Sequence, residues 1–377
     1  MKLFFKSRQK KGEKKKIFFA GVCCTNFIQF RPIYEILKHD QRIEIFFSGM
    51  YQSKDRPREL YKPFGIDKKF IIREKFAKLS KFDIYISPDY HMVDNSYSST
   101  IQFFHTTSFR NFSVSQEARK FDQIFLIGPY MKRKFIEAGI FAAEDPRLKE
   151  VGMPQTDSLL DNIDTGLSKR LGLDENLPTI LYAPVWAPIE SFLEDVQKTL
   201  KALTTLKANL LLKLHDKFYY QQVNKIRWRE YLDSILKENK NVQLINDFDI
   251  IPYMRISDLL VSDVSAVVHQ FSILDKPIVC MKIDVDQFNK YWPSLDRQAY
   301  LNRAVVEANH GEALKEAVLG ELANPERLSQ KRLAMNQEYF YNIGSSAKCA
   351  VSQIYQLLSL GDTDESKTFI SKKELVS

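Results

Sequence analysis

LLVSDVSAVVHQFSILDKPIV, residues 259–279, is the stretch that sets the fold class. Leu259 to Ser262 carries an apolar run into a polar break at Asp263. Val264 to Leu274 has the pattern of a helix, and Lys276-Pro277 opens a second apolar run. A buried strand, a polar seam, a helix and another buried strand are the repeating unit of an α/β protein. Ser262, Asp263 and Ser265 stand at the seam. Small hydroxyls and an acid there cap a helix, and they also hold a ligand at its N-terminus.

The same alternation runs outward in both directions. Downstream of the seam, residues 311–323 and 326–359 read as helices, joined at Pro325. Upstream, TILYAPVW (179–186), ANLLLKLHD (208–216) and NVQLIND (241–247) read as strands, with SFLEDVQKTLKAL (191–203) as an amphipathic helix. The first half repeats the plan. KKIFFAGV (15–22), RIEIFFSG (42–49), KFIIR (69–73), FDIYISP (82–88), STIQFFHT (99–106) and FDQIFLIGP (121–129) are β-branched or aromatic runs of strand length. Helices are expected over 27–40, with Pro32 near the first turn, and over 130–139, ended by Gly139. The pattern predicts two doubly wound, Rossmann-like α/β domains, with ligands in a crevice beyond the carboxyl ends of the strands. The expected division is a basic tail (1–16), a first domain (17–160), a turn-rich linker near 153–178, a second domain (175–325), a C-terminal helix (326–360) and a loose tail (361–377).

Composition narrows the class. The 377 residues are 44% hydrophobic, enough for two sizeable cores. Four cysteines (Cys23, Cys24, Cys280 and Cys349) form no C-x-x-C pair, which is the usage of a reduced, cytoplasmic protein. The net charge is +8, and the first sixteen residues hold eight Lys or Arg against one Glu, a net +7. The body is thus near neutral, which argues against a nucleic-acid surface. IFFAGVCC after the tail is too short for a membrane span or a secretory core. The tail reads as a solvated end or as a segment that docks on anionic lipid at the inner face of a plasma membrane.

Neither a dinucleotide fingerprint nor a P-loop occurs. Two D-x-D triplets, Asp247-Phe248-Asp249 and Asp284-Val285-Asp286, are short enough to arise by chance, and no His/Cys/carboxylate set has structural zinc spacing. No metal or other cofactor is expected. Among six histidines, His105 and His215 stand just past the ends of apolar strands, where α/β proteins place their chemistry. His215 follows Lys213 by two residues. His269 lies one turn beyond Ser265 and reads as a packed or solvent-facing helix residue; His39 follows a helix and reads as exposed.

Four pieces together resemble one family. They are FFHTTSFR (103–110), VGMPQTDSLL (151–160), ILYAPVWAP (180–188) with LLLKLHD (210–216), and the opening stretch 259–279. In order and spacing they resemble the CDP-glycerol glycerophosphotransferases of teichoic-acid and capsule polysaccharide biosynthesis. That family's patterns are H-G-T-x-x-K, G-x-P-x-x-D, Y-A-P-T-W, R-x-H-P and S-D-x-S-S followed by L-D-x-P. The resemblance covers about residues 100–350, with a weaker echo in YFYNIGSSAKCAVSQI (339–354). Departures are Thr106 for Gly, Arg110 near the usual Lys, Lys213 for Arg, Asp216 for Pro, and Asn342-Ile343 for Asp-Gly.

The resemblance implies a GT-B-like fold with two domains facing a central cleft. It implies a transferase that moves glycerol phosphate, or a related polyol phosphate, from a CDP-activated donor to a hydroxyl of a cell-surface glycan or lipid-linked acceptor. His105 becomes the expected base and His215 the second catalytic group. Lys213, Ser262, Asp263, Ser265 and Arg110 become the expected donor and phosphate ligands. Two alternatives use the same sheet ends: a GT-B glycosyltransferase with a nucleotide sugar, and a GT-B-like binding subunit whose site has decayed.

Overall fold

The computed structural model describes residues 13–21, 23–49, 57–77, 80–88, 90, 97–104, 114–161, 166–185, 190–215, 228–291 and 295–361. The first half builds a six-stranded parallel sheet from β1 (Lys15–Gly21), β2 (Ile43–Gly49), β3 (Phe82–Ser87), β4 (Tyr97–Phe103), β5 (Gln123–Leu126) and β6 (Leu148–Glu150), in the order β2-β1-β3-β4-β5-β6. These strands are apolar runs because helices cover both faces of a parallel sheet. Phe18 pairs with Phe46 of β2 and with Tyr85 of β3. Helix α1 (Cys24–Leu37) begins three residues before the expected start. Asn26 caps it by accepting the Cys23 backbone N–H at 3.1 Å. Pro32 therefore sits inside the helix instead of in its first turn. The expected strand 69–73 is not one. Asp67 accepts the Lys69 backbone N–H and starts a 3-10 turn (Lys68–Phe70), and only Ile71 bridges to Phe47 of the edge strand.

The second half repeats the design with β7 (Thr179–Tyr182), β8 (Asn209–Leu212), β9 (Val242–Leu244), β10 (Leu259–Ser262), β11 (Ile278–Met281) and β12 (Val306–Ala308). All neighbours are parallel, in the order β12-β11-β10-β7-β8-β9. Chain order reverses beside β1 in the first sheet and beside β7 in the second, and such switch points are where doubly wound sheets bind ligands. Helices named below are α2 (Pro129–Glu137) in the first half, and α3 (Glu190–Leu203), α4 (Trp228–Glu238), α5 (Val267–Ser272) and α6 (Glu312–Ala323) in the second.

The expected single helix 326–359 is three pieces: a 3-10 turn (Pro325–Leu328), α7 (Ser329–Tyr339) and α8 (Ser346–Leu358). Phe340 is extended, and Asn342 and Gly344 take left-handed backbone at φ 48° and 80°, which no helix tolerates. α7 packs on α5 and on α2, so it touches both halves. α8 returns to the first sheet and buries Ala350, Val351, Ile354, Tyr355 and Leu358 with Phe30, Ile33 and Leu37. The crossing is close. A Cβ on Gly128 would lie 2.1 Å from the Tyr339 carbonyl oxygen, and one on Gly152 would lie 2.2 Å from that of Tyr341. Asp157 accepts the backbone N–H groups of Ser346 and Ala347 at 3.0 and 2.8 Å and so caps α8. Asn342 donates to the carbonyls of Glu150 and Val151. VGMPQTD (151–157), at the start of the stretch read as a linker, is thus the seat of the C-terminal helix, and its Pro154–Leu160 turn is largely buried.

Candidate active site

The carboxyl ends of β7, β8 and β10 meet side by side, and their loops are laced together. Ala183 N–H donates to the Val261 carbonyl at 3.0 Å, and the Ser262 hydroxyl donates to the Ala183 carbonyl at 2.7 Å. Val185 N–H donates to both carboxylate oxygens of Asp263 at 3.0 Å, and Ser265 N–H to one of them at 2.9 Å. Lys213 N–H donates to the Tyr182 carbonyl at 3.0 Å. Ser262 and Asp263 are buried, so their polar atoms are engaged within the loops. Among the described residues no cation pairs with the Asp263 carboxylate; Arg303 donates to its backbone carbonyl at 2.8 Å instead. Burial therefore dominates and pushes the Asp263 carboxyl up to about 6, against the pull of the Val185 and Ser265 N–H groups and of Arg303.

This lacing changes the helix expected from Val264. Asp263 captures the Ser265 N–H, and residues 263–266 are non-helical, so α5 spans only Val267–Ser272. Its first bonds, Val268 N–H to Ser265 O and His269 N–H to Ala266 O, are of the tight 3-10 kind. Six residues align few peptide dipoles, so an anion at this edge depends on side chains and loop amides more than on a helix dipole.

Three of the expected residues remain accessible at the edge. Ser265 and Lys213 are half-buried, and His215 is exposed. All three follow the carboxyl end of β10 or of β8, the two strands that flank β7. His105 and Arg110 lie outside the described residues, and so does Asp216. Of its two readings, packed or solvent-facing, His269 takes the first: it is buried, its ring centroid lies 3.9 Å from that of Tyr339, and burial pushes its pKa down to about 3. His39 is exposed. The D-x-D carboxylates serve local structure. Asp249 caps the helix Ile251–Ile256, Asp247 accepts the Tyr253 hydroxyl, Asp284 caps the helix Val285–Tyr291 and Asp286 pairs with Arg297.

One histidine at this edge went unread in the sequence. His310 follows β12, a three-residue strand too short to stand out by pattern. Its Nε2 lies 3.1 Å from a carboxylate oxygen of Asp195 and its Nδ1 3.1 Å from the Thr199 hydroxyl, both on α3. The available signal was its place two residues past an apolar run, the same signal that singled out His105 and His215.

Residues 83–354 match the family described as CDP-Glycerol:Poly(glycerophosphate) glycerophosphotransferase. The chain belongs to this family. Among curated glycerophosphotransferase relatives, a teichoic acid poly(glycerol phosphate) polymerase of Staphylococcus epidermidis is 27% identical over 186 residues, covering 48% of this chain and 25% of the relative. A teichoic acid glycerol-phosphate transferase of Staphylococcus aureus is 26% identical over 187 residues, covering 46% and 44%. The chain thus spans less than half the length of the curated relatives it matches. Among solved structures, that of the wall teichoic acid polymerase TagF aligns with a TM-score of 0.66 at 17% identity, over 91% of this chain and 88% of that one. The S. aureus MnaA–UDP co-structure aligns at 0.59 and 14% identity, over 92% and 98%. The fold of this glycerophosphotransferase-family chain is therefore GT-B-like, with two parallel six-stranded sheets.

Proposed function

We propose that the chain transfers glycerol phosphate, or a related polyol phosphate, from a CDP-activated donor to a hydroxyl of a cell-surface glycan or lipid-linked acceptor. The observation that carries this reading is the family match over 83–354, which takes in the laced edge with Lys213, His215 and Ser265. The relatives agree in kind: one is a teichoic acid glycerol-phosphate transferase, and a TagF variant has been soaked with CDPG.

In this reading the acceptor oxygen attacks the phosphorus that carries glycerol. A new P–O bond forms to the acceptor, the pyrophosphate P–O bond breaks, and CMP leaves with the bond's electron pair. The hydroxyl proton passes to His105, since an imidazole titrates in the range a base at neutral pH needs. Lys213 and His215 supply positive charge to the splitting pyrophosphate, and Ser265 supplies its hydroxyl, its N–H being held by Asp263. Arg110 adds charge from the first domain. Asp263 holds the loop that presents Ser265, and Ser262 fastens that loop to β7. No metal enters this scheme, so turnover is expected to survive chelation.

Membrane contact belongs to the first domain. No helix of the described residues is long and apolar enough to cross a membrane. The basic tail is joined by an exposed basic stretch, Arg58, Lys62, Lys68, Lys69, Arg73 and Lys81, with Phe76 52% exposed among them. Such a surface suits anionic lipid on the cytoplasmic side, where a nucleotide-activated donor is found.

A donor panel tests the reading: CDP-glycerol, CDP-ribitol, and UDP- and CMP-sugars, followed by released nucleotide and by calorimetry. CMP release from CDP-glycerol or CDP-ribitol is the expected result. Release of UDP from a nucleotide sugar establishes the glycosyltransferase instead, and binding without release establishes the decayed subunit. Lys213→Ala and His215→Ala are each expected to weaken donor binding by roughly 10- to 100-fold, the range for losing a charge-assisted contact. Unchanged donor affinity in both overturns the placement of the donor at this edge.

A further inference from the structure

His310, Asp195 and Thr199 have no part in the scheme above, yet they form a hydrogen-bonded polar cluster beside it. Asp195 and Thr199 are four residues apart on α3, and so share one face of that helix. A single imidazole bridges them with both of its nitrogens, at 3.1 Å each. Thr199 is fully buried and also hydrogen-bonds Tyr182, the last residue of β7. Burial raises the Asp195 carboxyl, and the His310 and Lys198 contacts more than compensate, leaving it below the usual carboxylate range. The cluster is therefore a chain of contacts, Tyr182–Thr199–His310–Asp195, that ties α3 to the end of β12 and to the end of β7.

The same residues border a cavity of about 20 Å³ together with Asp263 and Lys282. That is room for about one water molecule with polar partners on several sides. Asp263 is the residue whose carboxylate holds Val185 N–H and Ser265 N–H in place. His310 and its two partners on α3 thus line the same cavity as Asp263.

We infer that His310, with Asp195 and Thr199, is a positioning group for the donor site: it fixes the wall against which Asp263 sits, and so the aim of Ser265. The inference rests on the proposed donor site. His310 itself touches no reacting atom in it. Its two hydrogen bonds fix the spacing between α3 and the carboxyl edge of the sheet. When they are lost, Asp263 no longer has a rigid surface beside it, and the two amides it holds exchange between bound and free. Donor affinity then falls while the chemical step, run from the first domain, continues at its normal rate.

The test uses His310→Ala, Asp195→Asn and His310→Gln in the full chain, with two readouts. The first is CDP-glycerol affinity and turnover. His310→Ala is expected to raise Kd and KM about tenfold, the size of a coupling within one hydrogen-bonded network, with kcat within about threefold. His310→Gln, whose amide reaches the Asp195 carboxylate, is expected to recover most of that loss. The second readout is hydrogen exchange without any ligand, in peptides covering 179–185 and 259–266. Both are expected to exchange several-fold faster in His310→Ala, while peptides of the first sheet stay unchanged.

Unchanged affinity and unchanged exchange in the folded variants overturn the inference. Lost affinity with unchanged exchange also overturns it, since His310 would then act on the donor directly. If His310→Ala does not fold, Asp195→Asn and the degree of recovery in His310→Gln decide in its place. If the wild-type chain does not bind CDP-glycerol at all, the reaction reading fails, and the exchange arm alone then decides whether His310 holds the Asp263 loop.

Discussion

The two sheets share length, parallel pairing and one reversal of chain order, but they are filled differently. The core of the first is aromatic. Phe19 packs against Phe30 and Phe47 at 5.0 and 5.7 Å between ring centroids, and Phe103 against Phe30 and Phe125 at 5.8 and 6.3 Å. The core of the second is aliphatic, with Ile180, Leu210, Leu212, Leu259, Val261 and Val279 stacked around β7, β8, β10 and β11. Charge divides the same way, because the basic tail and the exposed basic stretch 57–81 both belong to the first half. One topology thus carries two chemistries. Aliphatic strands leave the carboxyl edge of the second sheet to short polar loops laced by Asp263 and Ser262. The first half, in the reading above, brings the base and the contact with the acceptor's membrane.

That division is open to direct attack. The largest effect is expected from His105→Ala, which removes the base: turnover falls by about 10²–10⁴-fold, while donor affinity by calorimetry stays as in the wild type. A loss of donor affinity instead would erase the boundary between the two halves. Next come the cores. Phe103→Ala is expected to cost about 3–5 kcal/mol, and Ile180→Val about 0.5–1.5 kcal/mol, in urea unfolding. Separate unfolding transitions, each moved by one substitution only, would sharpen the contrast; a single transition moved by both would show one cooperative unit.

The third effect concerns pH. Asp263 is raised from 3.8 to about 6, so between about pH 4 and 6 the folded chain binds a proton that the unfolded chain has lost. Stability from this group is full at acid pH and is lost as pH rises through about 6, a total on the order of 3 kcal/mol. His269, held near 3 by burial, acts in the opposite sense: its contribution is full above about 6.5 and falls as the pH drops toward 3. Over pH 4–6 the two oppose each other. Asp263→Asn removes one of them, so the stability of the variant relative to wild type should climb with pH by about 1.4 kcal/mol per unit across that window. Guanidinium titrations at pH 4.5, 5.5 and 7.5 measure it, and a constant difference would place the ionised carboxylate at ease in its site.

The smallest effect is at the surface. Deleting residues 1–14 is expected to leave turnover on a short soluble acceptor unchanged. Sedimentation with anionic vesicles should fall and lose part of its salt dependence, since exposed charges are screened over about 8 Å. Sedimentation unchanged by the deletion would assign membrane contact to the folded stretch 57–81 alone.

Much of this molecule is written locally. Apolar runs such as IFFAG and LLVS are legible as strands, and the alternation of strand and helix specifies a doubly wound α/β chain before any contact is known. The strand-end placement of Lys213 and His215 is legible for the same reason: a strand stops where its apolar run stops. Longer-range competition for N–H groups is not legible. The helix after β10 is shorter than its pattern because one buried carboxylate, Asp263, takes the N–H groups of Ser265 and of Val185, the latter far upstream in the chain. The seam's hydroxyl and acid, Ser262 and Asp263, turn inward to bind loops, and only Ser265 of the three keeps a face to solvent. His310 gains its place because a three-residue strand ends beside α3, and so short a run carries no periodicity of its own. VGMPQTD and YFYNIGSSAKC, almost two hundred residues apart, become one lock only when Gly152 admits the Tyr341 backbone and Asp157 caps α8. Side-chain pattern sets which elements form, whereas which elements end together, and whose amides a buried acid captures, is decided by packing alone.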